Sequence, residues 1–155
     1  MEETRRIARE YKQSTGQVLP ISNELGRYDA GRILNLTPPY PDESGVDFLG
    51  SGSLSGCKIS VKSRVLFQPG KSGQRLGALN LDGAWEYLLL IIYNSDYEVD
   101  EMYMTSKQEI SNELQKNKPN KRGSFSVAKF KMLGELVWDS IDKQFNYNPK
   151  QKSKS

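Results

Sequence analysis

The sequence has no histidine, a single cysteine at position 57, and no long apolar run. Without histidine there is no Ser-His-Asp or Cys-His nucleophile system, no HExxH zinc site and no imidazole base. One cysteine excludes an internal disulfide framework and a multi-cysteine zinc site, and makes the cytoplasm the expected compartment. The longest apolar run, Leu88 to Ile92, is strand-sized. It falls well short of the roughly 20 residues a membrane helix needs. The opening MEETRRIAREYK is charged throughout, so a signal peptide is not expected there. Charge of either sign hardly dominates: 22 lysines and arginines stand against 19 acids, a net +3 that permits nucleic acid without arguing for it. The chemistry left is that of carboxylates, lysine, tyrosine, serine, or a metal held by oxygen.

What is present reads as one domain. The 155 residues are 36% apolar and 26% charged, enough for a core with a polar surface. Helical spacing of Ile7, Ala8 and Tyr11 predicts a helix over Glu2–Ser14, and a second starts at Ser22, taken as its N-cap, and runs through Leu34. Strands are expected at Val46–Leu49, Cys57–Val65, Glu86–Tyr93 and Tyr97–Met104, the third continuously apolar and therefore central. A helix over Ser106–Lys116 and a last one capped by Ser126, VAKFKMLGELVWD, complete the chain. This is an α+β domain over residues 1–140, with 141–155 a basic tail lacking core residues and expected to be disordered. Trp85 and Trp138 are expected in the core.

The stretch GVDFLGSGSLSGCKISVKSR carries the chemistry. In a strand, residues two apart share a face. Cys57, Ile59 and Val61 are expected to point into the core, and Lys58, Ser60, Lys62 and Arg64 away from it. A hairpin pairing Val46–Leu49 with Cys57–Val65 brings Asp47 beside that polar face. An acid next to a lysine suits metal-assisted phosphodiester hydrolysis. The carboxylate holds Mg²⁺ or Mn²⁺, and the lysine steadies the attacking water or the charge of the phosphorane. The same alternation also describes a plain solvated edge strand.

The layout resembles the PD-(D/E)xK, or restriction-endonuclease-like, superfamily, which places an acid on one strand and an acid-x-Lys tripeptide on the next. Asp47 matches the acid and Ser60-Val61-Lys62 the tripeptide. The segments NELGRYDAGRIL, KISVKSR, GQRLGALNLDGAWEYLLLIIYNSDYEVDEMY and RGSFSVAKFKMLGELVW are similar to those of a small uncharacterised bacterial family, and span most of the chain from Asn23 to Trp138. The resemblance implies a restriction-endonuclease-like core, a roughly four-stranded mixed sheet flanked by helices. It also implies a nuclease (a hydrolase) acting on DNA, with many relatives of this class working as homodimers. Members often add a glutamate from the first core helix; Glu24 is the matching position, with Asp29 the alternative. Ser60 stands where an acid or glutamine is expected, which leaves Glu24 or Glu86 to supply the missing carboxylate and Ser60 as a neutral water-holding group. Val46, not proline, precedes Asp47, and no core helix is evident between Val65 and Trp85.

The Gly-rich segment after the lysine strand carries Arg64, Lys71 and Arg75, which read equally as contacts, with Lys58, to a phosphate backbone or as a solvated connection. Gly70-Lys-Ser72 is not a P-loop, because Val65 occupies the place of the leading glycine. Two rivals stand beside the enzyme: a catalytically inactive module of the same fold that binds nucleic acid or a protein partner, and a small structural subunit.

Overall fold

The continuously apolar β-segment has to be covered on both faces, and the rest of the chain is arranged to do so. A computed structural model describes residues 2–17, 21–67, 75–116 and 124–147. In chain order the elements are α1 (Glu2–Thr15), α2 (Ser22–Ile33), β1 (Phe48–Leu49), β2 (Lys58–Val65), β3 (Arg75–Ala78), β4 (Tyr87–Tyr93), β5 (Val99–Ser106), α3 (Lys107–Lys116), β6 (Ser124–Ser126), α4 (Val127–Leu133) and β7 (Glu135–Asp139). The strands form a five-stranded sheet in the order β1-β2-β4-β5-β7 and a separate pair, β3-β6. The main sheet is mixed. β2 runs parallel to β4, with Ile59 opposite Tyr87 and Val65 opposite Tyr93, and every other neighbouring pair is antiparallel.

Each face carries its own core. Ile59, Val61, Leu89, Ile91 and Tyr93 pack under α1 and α2, together with Met102 and Met104. Leu88, Leu90 and Ile92 pack on the other side against Ile110 of α3, Phe130 of α4 and the β3-β6 pair. Trp85 and Trp138 are both buried, as expected. The helix α2 comes close to β2 because residue 26 is glycine: a Cβ there would lie 2.8 Å from Ser63 Oγ and 2.9 Å from Ser63 Cβ.

The structure corrects several expectations. The last helix stops at Leu133, and ELVWD becomes the edge strand β7. Gly134 permits the break, since its backbone passes so close to Met104 and Phe130 that a Cβ would sit 3.1 Å from both carbonyl oxygens. Ser22 does not cap α2: the cap position is Ile21, which makes no side-chain bond, and the Ser22 carbonyl instead accepts the Ser63 hydroxyl at 2.5 Å. Ser126 does cap α4, its Oγ accepting Lys129 N–H at 3.0 Å. The segment expected to be a free tail packs as far as it is described. Tyr147 is buried edge-to-face against Tyr87 at 5.9 Å, and Phe145 rests on the same core. Residues 148–155 lie outside the described residues.

Candidate functional site

The site begins with a strand that ends early. β1 pairs only Phe48 with Ile59 and Leu49 with Lys58; Gly50 N–H donates to the Cys57 carbonyl at one end and Asp47 N–H to the Ile59 carbonyl at the other, both at 2.9 Å. Beyond that point no strand among the described residues pairs with the outer side of β2. The backbone groups of Val61 and Ser63 face this open edge. Bare edges invite pairing with other chains, and side chains blunt this one. Asp47 Oδ2 accepts the Val61 N–H at 2.7 Å, and the Ser60 hydroxyl lies 3.5 Å from the same oxygen. Arg64 Nη1 donates to the Ser63 carbonyl at 2.6 Å.

The β2 side chains alternate between half-buried and buried: Lys58, Ser60, Lys62 and Arg64 on one face, Ile59, Val61, Ser63 and Val65 on the other. In parallel register Ser60 stands beside Leu88 and Lys62 beside Leu90. Asp47 follows Ser60 across the strand pair, so Asp47, Ser60 and Lys62 share one face at one edge, as the alternation implied. Among the described residues no carboxylate lies within ion-pairing distance of the Lys62 ammonium. A half-buried lysine with no counter-charge among the described residues can bind an anion from outside.

The auxiliary acids are not brought in. Glu24 is exposed and paired with Arg27 of its own helix at 3.3 Å. Its helix covers the face opposite Lys62, although the neighbouring Asn23 Oδ1 accepts from Ser63 Oγ at 3.3 Å near the open edge. Glu86 extends the β2-β4 ladder by one step: its Oε1 accepts Lys58 N–H at 3.0 Å and its own N–H donates to the Lys58 carbonyl at 2.7 Å. That places it abreast of Lys58, about 13 Å along the strand from Lys62 at roughly 3.3 Å per residue. Asp29 is fully buried and held by both guanidinium nitrogens of Arg5, at 2.9 and 2.6 Å, and by the Tyr93 hydroxyl at 2.6 Å. It belongs to the core of the opposite face. Among the described residues no three acids or cysteines come together as a metal-holding group.

The basic residues divide similarly. Lys58 is bonded to Glu43 at 2.8 Å, which holds its ammonium proton more tightly and pushes its pKa up from the usual lysine value. Arg64 ties β2 to β3 through the Arg75 carbonyl at 3.0 Å, and burial pushes its pKa down from the usual arginine value. Arg75 itself is exposed on β3. Lys71, the loop 117–123 and the lysines beyond 147 lie outside the described residues.

Sequence reasoning missed two features. Glu43 partners Lys58 from a loop that no periodicity marks. Arg5 enters the core while Ile7 stays 47% exposed, because Asp29, Tyr93 and the Tyr97 carbonyl together supply what a buried guanidinium requires. On that same face an open groove of about 640 Å³ is lined by charges of both signs, including Glu2, Arg32, Glu98 and Lys143. It shares no residue with the Asp47–Lys62 face. No protein-family model matches the chain, and no curated protein matches it either.

Proposed function

We propose that the chain is a metal-dependent nuclease built on a restriction-endonuclease-like core, hydrolysing phosphodiesters in DNA. One observation carries this reading: Asp47, Ser60 and Lys62 lie on one face at an edge of β2 where, among the described residues, Lys62 has no carboxylate partner and no further strand pairs. The donor set suits a hard cation only in its leaner form. Asp47 Oδ1 has no protein partner among the described residues, the Ser60 hydroxyl is adjacent, and Mg²⁺ commonly keeps several waters with one or two carboxylates. Held there, Mg²⁺ or Mn²⁺ would supply Lewis acidity to a phosphodiester oxygen. Asp47 anchors the site, its other oxygen already oriented by the Val61 N–H. Ser60 positions a water. Lys62, in register with Leu90 and without a carboxylate in ion-pairing distance among the described residues, offsets the negative charge that builds on the phosphoryl group and orients the nucleophile. Low dielectric on the Leu90 side strengthens that interaction.

The test is plasmid cleavage by purified protein with Mg²⁺ or Mn²⁺, beside Lys62→Ala. Loss of nicking in the variant supports the reading, and equal nicking by both proteins rejects it. A second reading has its own observation. Ser60 replaces the usual acid, while Glu24 and Glu86 are held by Arg27 and Lys58, which is what an inactive module of this fold would show. Salt-dependent DNA binding without cleavage would select it.

A further inference from the structure

Tyr40 is 98% exposed, in the segment Thr37-Pro-Pro-Tyr-Pro that leads to Asp47. A single exposed aromatic is unremarkable by itself. Its mounting is not. The segment leaves the sheet at Thr37, whose carbonyl accepts Leu49 N–H at 2.7 Å and whose N–H donates to the Leu49 carbonyl at 3.3 Å. Because Thr37 pairs antiparallel to Leu49, the chain runs from there toward the Asp47 end of β1. It returns through Glu43, whose carbonyl accepts Val46 N–H at 3.1 Å and whose carboxylate holds Lys58 at 2.8 Å. Pro39 is buried and anchors the stem. Prolines at 38, 39 and 41 lock their own φ, and a residue before proline is confined to extended backbone, so the backbone at Tyr40 has little freedom left. An aromatic ring therefore stands in water on a stiff stem, tied by Glu43 to the strand that bears Ser60 and Lys62.

We propose that Tyr40 is a stacking platform for an unpaired nucleobase, so that the substrate is single-stranded or locally unpaired nucleic acid. The proposal rests on the nuclease reading for the strand that occupies the Lys62 face. Stacking on an aromatic ring needs a free base face and no particular base, whereas a base inside a duplex has both faces covered by its neighbours. The stiff stem means little backbone has to be ordered on binding.

The experiment measures binding of fluorescein-labelled 12-mer single-stranded DNA, the matching RNA and a blunt-ended, fully paired duplex by anisotropy, in EDTA at low salt. Tyr40→Ala is expected to weaken both single strands about tenfold, as loss of one stacked base does elsewhere. It should leave the duplex unchanged, and Tyr40→Trp should restore the single strands. Equal weakening of DNA and RNA identifies the base face as the ligand; weakening of one only restricts the substrate to that strand type. Unchanged single-strand affinity in Tyr40→Ala, or no single-strand binding by the wild type, overturns the proposal. Cleavage by the Lys62→Ala control is scored separately, so a failure of stacking with Lys62-dependent cleavage intact leaves the nuclease reading standing.

Discussion

Asp47 completes the edge that β1 leaves open: its Oδ2 accepts the Val61 N–H at 2.7 Å, where a neighbouring strand would have offered a carbonyl. Asp47 therefore supports the strand whether or not it holds a metal.

Asp47→Ala is expected to destabilise the fold by about 1–2 kcal/mol, the cost of a lost charge-assisted hydrogen bond at a half-exposed site. Asp47→Asn keeps an acceptor and should stay within about 0.5 kcal/mol of wild type while losing metal-dependent cleavage. Urea denaturation and plasmid nicking on the same two variants decide it. Equal stability loss in both would mean that the negative charge, and not the acceptor, supports the strand.

The buried pair Arg5–Asp29 makes a sharper prediction. Removing one partner, as in Arg5→Met or Asp29→Leu, leaves an uncompensated buried charge and costs about 3–5 kcal/mol. The double variant removes both charges together and should recover most of the loss. Denaturant midpoints of the three variants test this; additive losses would contradict it.

Alkaline pH should weaken the fold. Burial, helped by Glu101, pushes Tyr103 up to about 12. Burial likewise raises Tyr93, whose hydroxyl also binds Asp29, and Tyr147. Unfolded tyrosines ionise near about 10, so the folded state holds these protons more tightly. Their contribution is complete below about pH 10 and is lost as pH rises from there toward about 12. Denaturation midpoints at intervals from pH 8 to 11 should be flat and then fall, with a smaller fall in Tyr103→Phe. A level profile to pH 11 would overturn this.

Gly26→Ala tests the approach of α2 to β2. In a helix interior this change ordinarily stabilises, by up to about 1 kcal/mol. Here the new Cβ would meet Ser63 Oγ at 2.8 Å and Ser63 Cβ at 2.9 Å, so a loss of about 1–3 kcal/mol is expected instead. The sign alone is diagnostic in a thermal or urea melt.

Tyr147→Ala should cost about 3 kcal/mol, because the ring is buried against Tyr87 and the main core. A neutral result would restore the picture of a dispensable C-terminal segment.

The helices and the strands β1, β2, β4 and β5 were legible in the residue pattern, since period 3.6 and period 2 are local properties. The central place of β4 followed from its unbroken apolar run, and the facing of Lys58, Ser60 and Lys62 from alternation in β2. β7 was not legible, because Val137 and Trp138 continue the helical spacing of Val127, Phe130 and Leu133. The break at Gly134 comes from the crowding of its backbone against Met104 and Phe130. The candidate site divided the same way. Asp47, Ser60 and Lys62 were placed by strand geometry, while the partners of Glu24, Glu86, Lys58 and Arg64 come from contacts no spacing encodes.

Residue order was enough for the α+β class, for the strand bearing Lys62 and for the acid that faces it, because a pleated strand assigns its side chains to faces without reference to anything distant. Long-range packing settled the rest. It buried Arg5 with Asp29, folded residues 145–147 onto the core and, among the described residues, left the edge of β2 without a paired strand beyond Ile59. A buried charge or an uncovered edge is defined by groups far away in the chain, and only the closed fold brings those groups within a few ångströms.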